Sequence, residues 1–189
     1  MIKKEIITIT GTLGSGKSST ADRVAKELGF KRFSAGDFTR KIALEMGISL
    51  NELSKREEED KSIDKKVDEE LEKAGEITQS VIDARMAFHF IPNSFKVYLD
   101  LPPEIAKERI LNNLKENKLR QQSEDSTSPE EIYKKIIERL ESEKKRYKAY
   151  YGVNHTDKTN FDLVVDTNEN NLEQVVRIVI DGYKNWINK

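Results

Sequence analysis

The chain has 189 residues with 33 basic and 34 acidic side chains, which leaves a formal net charge of -1. This balance argues against a protein that binds nucleic acid through bulk phosphate neutralisation. The absence of cysteine excludes a disulfide framework, a thiolate zinc site and a cysteine nucleophile. We expect residues 1–189 to form a single cytoplasmic domain that works as a monomer on small molecules, with neither nucleic acid nor a membrane as a partner.

Five short segments carry the β-branched and aromatic residues that are typical of strands. They are residues 5–10, 31–34, 78–83, 96–101 and 161–166. Most of them are nearly continuous in apolar or β-branched residues, as strands buried on both faces of a parallel sheet are. Because helical stretches separate these strands, the pattern predicts a doubly wound, three-layer α/β/α fold.

The first predicted strand leads directly into a phosphate-binding sequence. The run Gly11-Thr12-Leu13-Gly14-Ser15-Gly16-Lys17-Ser18 fits the P-loop pattern G-x-x-x-x-G-K-[ST], and a helix-like run follows it. Glycines let backbone N–H groups converge on phosphate oxygens, and the start of a helix adds a positive field at the same place. A flexible glycine loop is the alternative interpretation, but the position between a strand and a helix favours the P-loop.

The P-loop predicts ATP chelated with Mg²⁺ as the first ligand. Lys17 is predicted to reach the β- and γ-phosphates and to act in catalysis, and the Ser18 hydroxyl is predicted to coordinate Mg²⁺. Asp83 ends the third predicted strand, where we expect it to hold Mg²⁺ through water, with a capping or structural role as the alternative. The residues predicted to bind the triphosphate are Gly11, Thr12, Leu13, Gly14, Ser15, Gly16, Lys17, Ser18 and Ser19.

Two long, charged helical connections are predicted to project beyond the sheet. Residues 37–76 would form a flap over the acceptor, and residues 112–158 would form a lid. Asp37 is interpreted as a helix N-cap at the start of the flap, with a catalytic base as the alternative. In the lid, Ser128 followed by Pro129 predicts the start of a long helix.

Four arginines indicate a second anion site. Arg40 follows the second predicted strand, and Arg85 follows the third. Arg139, Glu143 and Arg146 fall at positions i, i+4 and i+7 of the lid helix, so they share one face that suits a phosphate and a ribose. The alternative is a solvated helix whose ion pairs contribute only about 0.2–0.5 kcal/mol each.

A P-loop alone does not distinguish kinases, GTPases and ATPase motors. The chain has no Asn-Lys-x-Asp sequence of the kind that binds guanine, and no predicted strand ends in the Asp-Glu pair of ATPase motors. These observations favour a kinase with a separate acceptor.

Segments spread over nearly the whole chain resemble the cytidylate kinases of archaea and related bacteria. The most particular are Ser34-Ala35-Gly36 after the second strand and the Arg-x-x-x-Glu-x-x-Arg-Tyr helix that begins at Arg139. The segments 81–85 and 161–167 also match, in the same order. This family usually has glycine where the present chain has Ala84.

The resemblance implies a P-loop NTPase fold with a five-stranded parallel sheet, a helical acceptor flap and a lid, and an ATP-dependent kinase for CMP or dCMP. Arg139 and Arg146 would hold the acceptor phosphate and the transferred γ-phosphoryl group, with Glu143 on the acceptor's sugar. Arg109 would lie along the adenine of ATP. The residues that the resemblance implies for the acceptor are Ser34, Arg40, Arg85, Arg139, Glu143 and Arg146.

Other acceptors on the same fold remain alternatives, namely those of adenylate, shikimate and dephospho-coenzyme A kinases. A P-loop module that only senses nucleotide is an alternative of a different class. Asp64 and Asp68 lie one helical turn apart in the predicted flap and are candidates for facing the acceptor's base.

Overall fold

The computed structural model describes residues 3–116 and 128–189 of the chain. Its strands are Ile6–Gly11 (β1), Lys31–Ser34 (β2), Ser80–Asp83 (β3), Phe95–Asp100 (β4) and Leu163–Asp166 (β5). Its α-helices within those ranges are Lys17–Leu28 (α1), Ala35–Glu45 (α2), Leu50–Glu59 (α3), Lys61–Ala74 (α4), Ala87–Phe90 (α5), Pro103–Glu116 (α6), Pro129–Tyr151 (α7) and Leu172–Ile187 (α8).

The strands form one parallel sheet with the order β2-β3-β1-β4-β5, so the first strand of the chain lies at its centre. All five predicted strands are confirmed, and their ends differ from the predicted ones by at most two residues. Because parallel strands all end at the same edge of a sheet, the loops after β1, β2 and β3 meet there. That edge is where the candidate site lies.

One face of the sheet packs against α1 and α8. Ile7 and Ile9 of β1 are buried on this face with Val24 of α1 and with Val176 and Val179 of α8. Burying an aliphatic side chain of this size contributes roughly 1.5–3 kcal/mol, so this cluster is a main source of stability.

The opposite face of the sheet is covered by the flap and by the short helix α5. Ile6 of β1 and Ile82 of β3 pack there with Leu71 of α4 and Ala87 of α5. Since β1 sends alternate side chains to the two faces, the predicted three-layer α/β/α fold is confirmed.

The flap segment folds as three helices, α2, α3 and α4, around a small apolar cluster of Ala43, Leu53 and Ile63. The interpretation of Asp37 as an N-cap is wrong, because α2 begins at Ala35. Asp37 lies in the first turn instead, and its carboxylate accepts hydrogen bonds from Arg32 and Arg40. The division of the chain into flap and lid stays a prediction.

The lid helix α7 begins where the sequence predicts. The Ser128 hydroxyl accepts a hydrogen bond from the Glu131 N–H group at 3.2 Å, and Pro129 is the first helical residue. Residues 117–127 of the predicted lid lie outside the described residues. Within the described ranges, no helix has both the length and the apolar character that crossing a membrane requires.

Candidate functional site

The P-loop joins the end of β1 to the start of α1, and its backbone requires glycine. Gly11 has a φ angle of 155°, and a Cβ atom there would lie 2.3 Å from the carbonyl oxygen of Leu99. Gly16 has a φ angle of 82° directly before Lys17, the first residue of α1. Gly16 is the N-cap residue and has no side chain to cap the helix, so the N–H groups of the first turn are oriented to bind an anion.

The Lys17 side chain folds back over the loop. Its Nζ atom donates hydrogen bonds to the carbonyl oxygens of Gly11 at 3.1 Å and Thr12 at 3.0 Å. Phosphate oxygens are charged acceptors and bind an ammonium group more strongly than neutral carbonyl oxygens do. The two carbonyl hydrogen bonds hold the Lys17 ammonium group at the mouth of the loop, where it could exchange them for phosphate oxygens. Its catalytic role stays a prediction.

Ser18 and Asp83 lie in direct contact. The Ser18 hydroxyl donates a hydrogen bond to Oδ2 of Asp83 at 2.7 Å, and Arg32 approaches the same oxygen at 3.4 Å. The strand register explains the contact, because Ile9 of β1 pairs with Asp83 at the end of β3. Hydroxyl and carboxylate oxygens are the donors that Mg²⁺ prefers, so this pair fits the predicted metal position. Its role as a metal site stays a prediction.

A cleft of about 650 Å³ extends from the P-loop to the loop after β5. Residues 13–20 line one part of it, and Arg109, Asn112, Thr167 and Asn170 line another. Arg109 Nη2 donates to the Thr167 carbonyl oxygen at 2.8 Å, which holds the guanidinium group beside the cleft. The cleft thus brings the predicted adenine contact and the predicted phosphate cradle to one continuous space.

A smaller cavity of about 210 Å³ adjoins this cleft under the flap. Of the predicted acceptor residues, Arg40 and Arg85 line both spaces, Ser34 lines the cleft, and Glu143 and Arg146 line the smaller cavity. The residues that line both spaces are Leu13, Ala35, Gly36, Arg40, Ala84 and Arg85. The structure therefore gathers these predicted acceptor residues around two connected spaces.

Arg85 and Glu143 form an ion pair between the end of β3 and the lid helix. Both side chains are largely shielded, with exposed fractions of 26% and 12%. Arg40 is more open at 56% and pairs with Asp37. The cations at the border of the two spaces thus differ in how readily a phosphate can reach them.

Arg146 is the most enclosed of the predicted acceptor arginines whose side chains the structure describes. Its Nε atom donates to Asp64 at 2.8 Å, its Nη2 atom donates to Glu57 at 2.8 Å, and its Nη1 atom donates to Ser142 at 2.6 Å. In this arrangement the guanidinium group faces carboxylates of the flap and lines the smaller cavity rather than the P-loop cleft. Its predicted contact with the γ-phosphoryl group stays a prediction.

Arg139 lies on α7, but its side chain is outside the described residues. Its predicted roles in catalysis and acceptor binding therefore stay predictions.

Asp68, which lines the smaller cavity, and His155, which packs against Tyr147 of its lining, have strongly shifted pKa values. Burial, together with the nearby Asp64 and Glu72 carboxylates, raises the pKa of Asp68 to about 6, although a hydrogen bond from Tyr151 opposes this shift. Burial and nearby cations, Arg85 first among them, lower the pKa of His155 to about 4. Asp68 is thus able to change its protonation state near neutral pH.

The sequence interpretation missed three residues of this region, namely Glu57, Tyr147 and Tyr151. The two tyrosines continue the four-residue spacing that starts at Glu143, so helical periodicity is the signal that could have identified them. Glu57 carried no such signal, because its partner Arg146 lies 89 residues away in the chain.

Comparison with known proteins gives one family match and close relatives. A model of the AAA domain family matches residues 7–134. A cytidylate kinase of Pyrococcus abyssi is 34% identical over 175 residues, which cover 92% of this chain and 91% of that protein.

A second relative is much longer than this chain. It is an S-adenosylmethionine-dependent nucleotide dehydratase of Lacinutrix mariniflava, 32% identical over 183 residues. The alignment covers 96% of this chain but only 36% of the dehydratase, so this chain spans little more than a third of that protein.

Among solved structures, shikimate kinase of Aquifex aeolicus has a similar fold. The TM-score is 0.58, and the match covers 95% of this chain and 96% of the shikimate kinase chain. At 18% sequence identity this likeness concerns the fold alone.

Proposed function

The chain belongs to the cytidylate kinases of the P-loop kinase superfamily, and we propose that it transfers the γ-phosphoryl group of ATP to CMP or dCMP. The products would be ADP and CDP or dCDP. The single observation that carries this proposal is the pair of connected spaces at the carboxyl edge of the sheet, one lined by the P-loop and the other closed by the flap.

Phosphoryl transfer would take place at the border where the two connected spaces meet. Lys17 lines the cleft on the ATP side, and Arg40 and Arg85 stand at the border with the smaller cavity. An acceptor phosphate placed at this border lies next to the γ-phosphoryl group of ATP bound in the P-loop. This arrangement supports an in-line transfer between two bound substrates.

The chain's own groups would act mainly by positioning and by neutralising charge. The backbone N–H groups of the P-loop and the Lys17 ammonium group would hold the β- and γ-phosphates as negative charge moves toward ADP. Ser18 and Asp83 are the residues that would hold Mg²⁺, which supplies further charge neutralisation at the phosphates when it is bound. Enclosure under the flap would keep water, the competing acceptor, away from the transferred group.

The smaller cavity supports a pyrimidine as the acceptor's base. Its volume of about 210 Å³ is small, and polar side chains from α4 and α7 line it. Ala84 also lines this cavity, and its Cβ atom takes up space there that a glycine would leave open. The relatives named cytidylate kinase support the same choice.

A panel of acceptors tests this proposal directly. Purified protein would be assayed with Mg-ATP by coupling ADP formation to NADH oxidation, with CMP, dCMP, UMP, AMP and GMP as acceptors. We expect CMP and dCMP to be the best acceptors and UMP to be weaker. AMP and GMP should fall below CMP by roughly 10⁴-fold in kcat/KM, since polar groups in a site built for one base stay unpaired with another.

Shikimate and dephospho-coenzyme A belong in the same panel as acceptors for other kinases of this fold. Turnover of AMP as fast as that of CMP would refute the specificity and leave a kinase. Nucleotide binding without turnover of any acceptor would point to a sensing module instead.

A further inference from the structure

The carboxylates that line the smaller cavity differ in their partners. Glu57, Asp64 and Glu143 each pair with an arginine, either Arg146 or Arg85. Asp68 lines the same cavity and is the exception among the described residues, because its partner is the Tyr151 hydroxyl. Since neutralised carboxylates are weak acceptors for a ligand, Asp68 is the carboxylate best placed to accept a hydrogen bond from one.

The Tyr151 hydroxyl fixes one oxygen of Asp68 and leaves the other for a ligand. Tyr151 donates to Oδ2, and no hydrogen bond to Oδ1 occurs within residues 3–116 and 128–189. The Tyr151 ring is itself held against Phe90 with 5.5 Å between ring centroids. Val67 and Leu71, which lie on α4 with Asp68, also line the cavity and place apolar side chains around the Asp68 carboxylate.

Cytosine and uracil differ at the atom that such a carboxylate would meet. Cytosine carries an exocyclic amino group, which donates hydrogen bonds, whereas uracil carries a carbonyl oxygen at the same ring position, which accepts them. An ionised carboxylate attracts the amino group and repels the carbonyl oxygen. A carboxylate held in one orientation therefore separates these two bases, which have nearly the same shape.

We propose that Asp68, oriented by Tyr151, accepts the hydrogen bond of the cytosine amino group and so sets the preference for CMP over UMP. This inference rests on the proposed function. It makes Asp68 a residue that determines specificity and Tyr151 a positioning residue that acts through Asp68.

The protonation of Asp68 gives the proposal a second observable. The pKa of Asp68 is raised to about 6 by burial and by the Asp64 and Glu72 carboxylates. The charged and titratable groups that act on it or share its cavity are Lys61, Asp64 and Glu72 of α4, Arg40 of α2, Glu57 of α3, Arg85 after β3, His89 of α5, and Glu143, Arg146, Tyr147 and Tyr151 of α7. As the pH falls below 6, Asp68 becomes a neutral acid that can donate to the uracil oxygen. The CMP preference should therefore shrink as the pH falls from about 7.5 to 5.5.

The test is the ratio of kcat/KM for CMP to that for UMP, measured in the wild type and in the variants Asp68→Asn and Tyr151→Phe. In Asp68→Asn, the amide oxygen can keep the Tyr151 hydrogen bond while the amide N–H group faces the base. We expect CMP activity to fall about tenfold to a hundredfold and the ratio to invert in favour of UMP. In Tyr151→Phe, the loss of the donor raises the pKa of Asp68, so the pH at which the preference shrinks should move upward.

Glu69→Gln is the matched control, because Glu69 is exposed on the same helix and should leave both the ratio and its pH dependence unchanged. Calorimetric titration of CMP and UMP without ATP separates base binding from turnover. An unchanged ratio in folded Asp68→Asn, with wild-type turnover of CMP, would overturn this inference alone. If the wild type neither binds nor phosphorylates CMP, the proposed function fails and this inference fails with it.

Discussion

At the scale of single residues, the phosphate end of the site depends most directly on Lys17. Its ammonium group lies at the mouth of the loop and lines the cleft. We expect Lys17→Ala to lower kcat for CMP by about a hundredfold or more, because the cation that neutralises the transferred charge is lost. The measurement is the coupled assay, with folding checked by circular dichroism.

Lys26→Ala is the control for this change, since Lys26 is an exposed lysine in the last turn of the same helix. It should keep wild-type activity. Near-normal turnover of Lys17→Ala would refute the assignment of this loop as the ATP site.

The sequence identified the P-loop residues because their pattern is local. It assigned Ser18 and Asp83 to the same Mg²⁺ ion because the P-loop follows the first predicted strand and Asp83 ends the third, and the structure brings the two side chains to 2.7 Å. It misplaced Asp37 by treating it as an N-cap, although α2 begins two residues earlier. Acidic residues are favoured both at the cap and in the first turn, so composition alone does not separate these positions.

At the scale of elements, Arg146 joins the lid helix α7 to the flap helices α3 and α4. Its side chain is 6% exposed, and its partners Glu57 and Asp64 are each 8% exposed. Removing one partner of a buried ion cluster leaves uncompensated charge, which costs about 3–5 kcal/mol. We therefore expect Arg146→Met to lower the free energy of unfolding by about that amount, measured by urea denaturation without nucleotide.

Arg56→Met is the matched comparison for this cluster. Arg56 of α3 pairs with Glu52 one turn away, and both side chains are about half exposed. Such pairs contribute about 0.5 kcal/mol or less, so this variant should unfold at nearly the wild-type urea concentration. Equal shifts in the two variants would show that Arg146 does not stabilise the contact between flap and lid.

The sequence predicted the start of α7 but not this joint between elements. The cap at Ser128 is a local signal, whereas Arg146 meets Asp64 across 82 residues of chain and Glu57 across 89. Helical spacing placed Arg146 on the same face as Glu143 without indicating which carboxylates of the flap it would contact. Pairings between distant elements depend on how the helices pack, and this is not written in the periodicity of any one helix.

At the scale of the whole molecule, His155 makes stability depend on pH. It is 3% exposed, and its folded-state pKa is lowered to about 4, below the ordinary value of 6.5. Between these values the unfolded chain binds more protons than the folded one, so stability falls as the pH falls from 6.5 to 4. The raised pKa of Asp68 acts with the opposite sign, because there the folded state holds the extra proton.

We expect His155→Gln to lose the His155 contribution while keeping that of Asp68. The difference in unfolding free energy between wild type and variant should therefore change by at most about 1.4 kcal/mol per pH unit within this window. The measurement is urea denaturation at several pH values. His89→Gln, which changes an exposed histidine, should retain the wild-type profile, and a pH-independent difference for His155→Gln would contradict the prediction.

The central place of β1 in the sheet decides when the nucleotide loop takes shape during synthesis. Both neighbours of β1 come from later in the chain, at residues 80–83 and 95–100, and the Thr12 N–H group is held by the carbonyl oxygen of Leu99. The apolar side of α1 packs against the sheet and against α8, the last helix described. A growing chain on the ribosome thus carries its P-loop sequence first and gains the P-loop structure late. ATP, which stabilises only chains that have formed its site, acts on the nearly finished protein and gives no help to the first hundred or so residues.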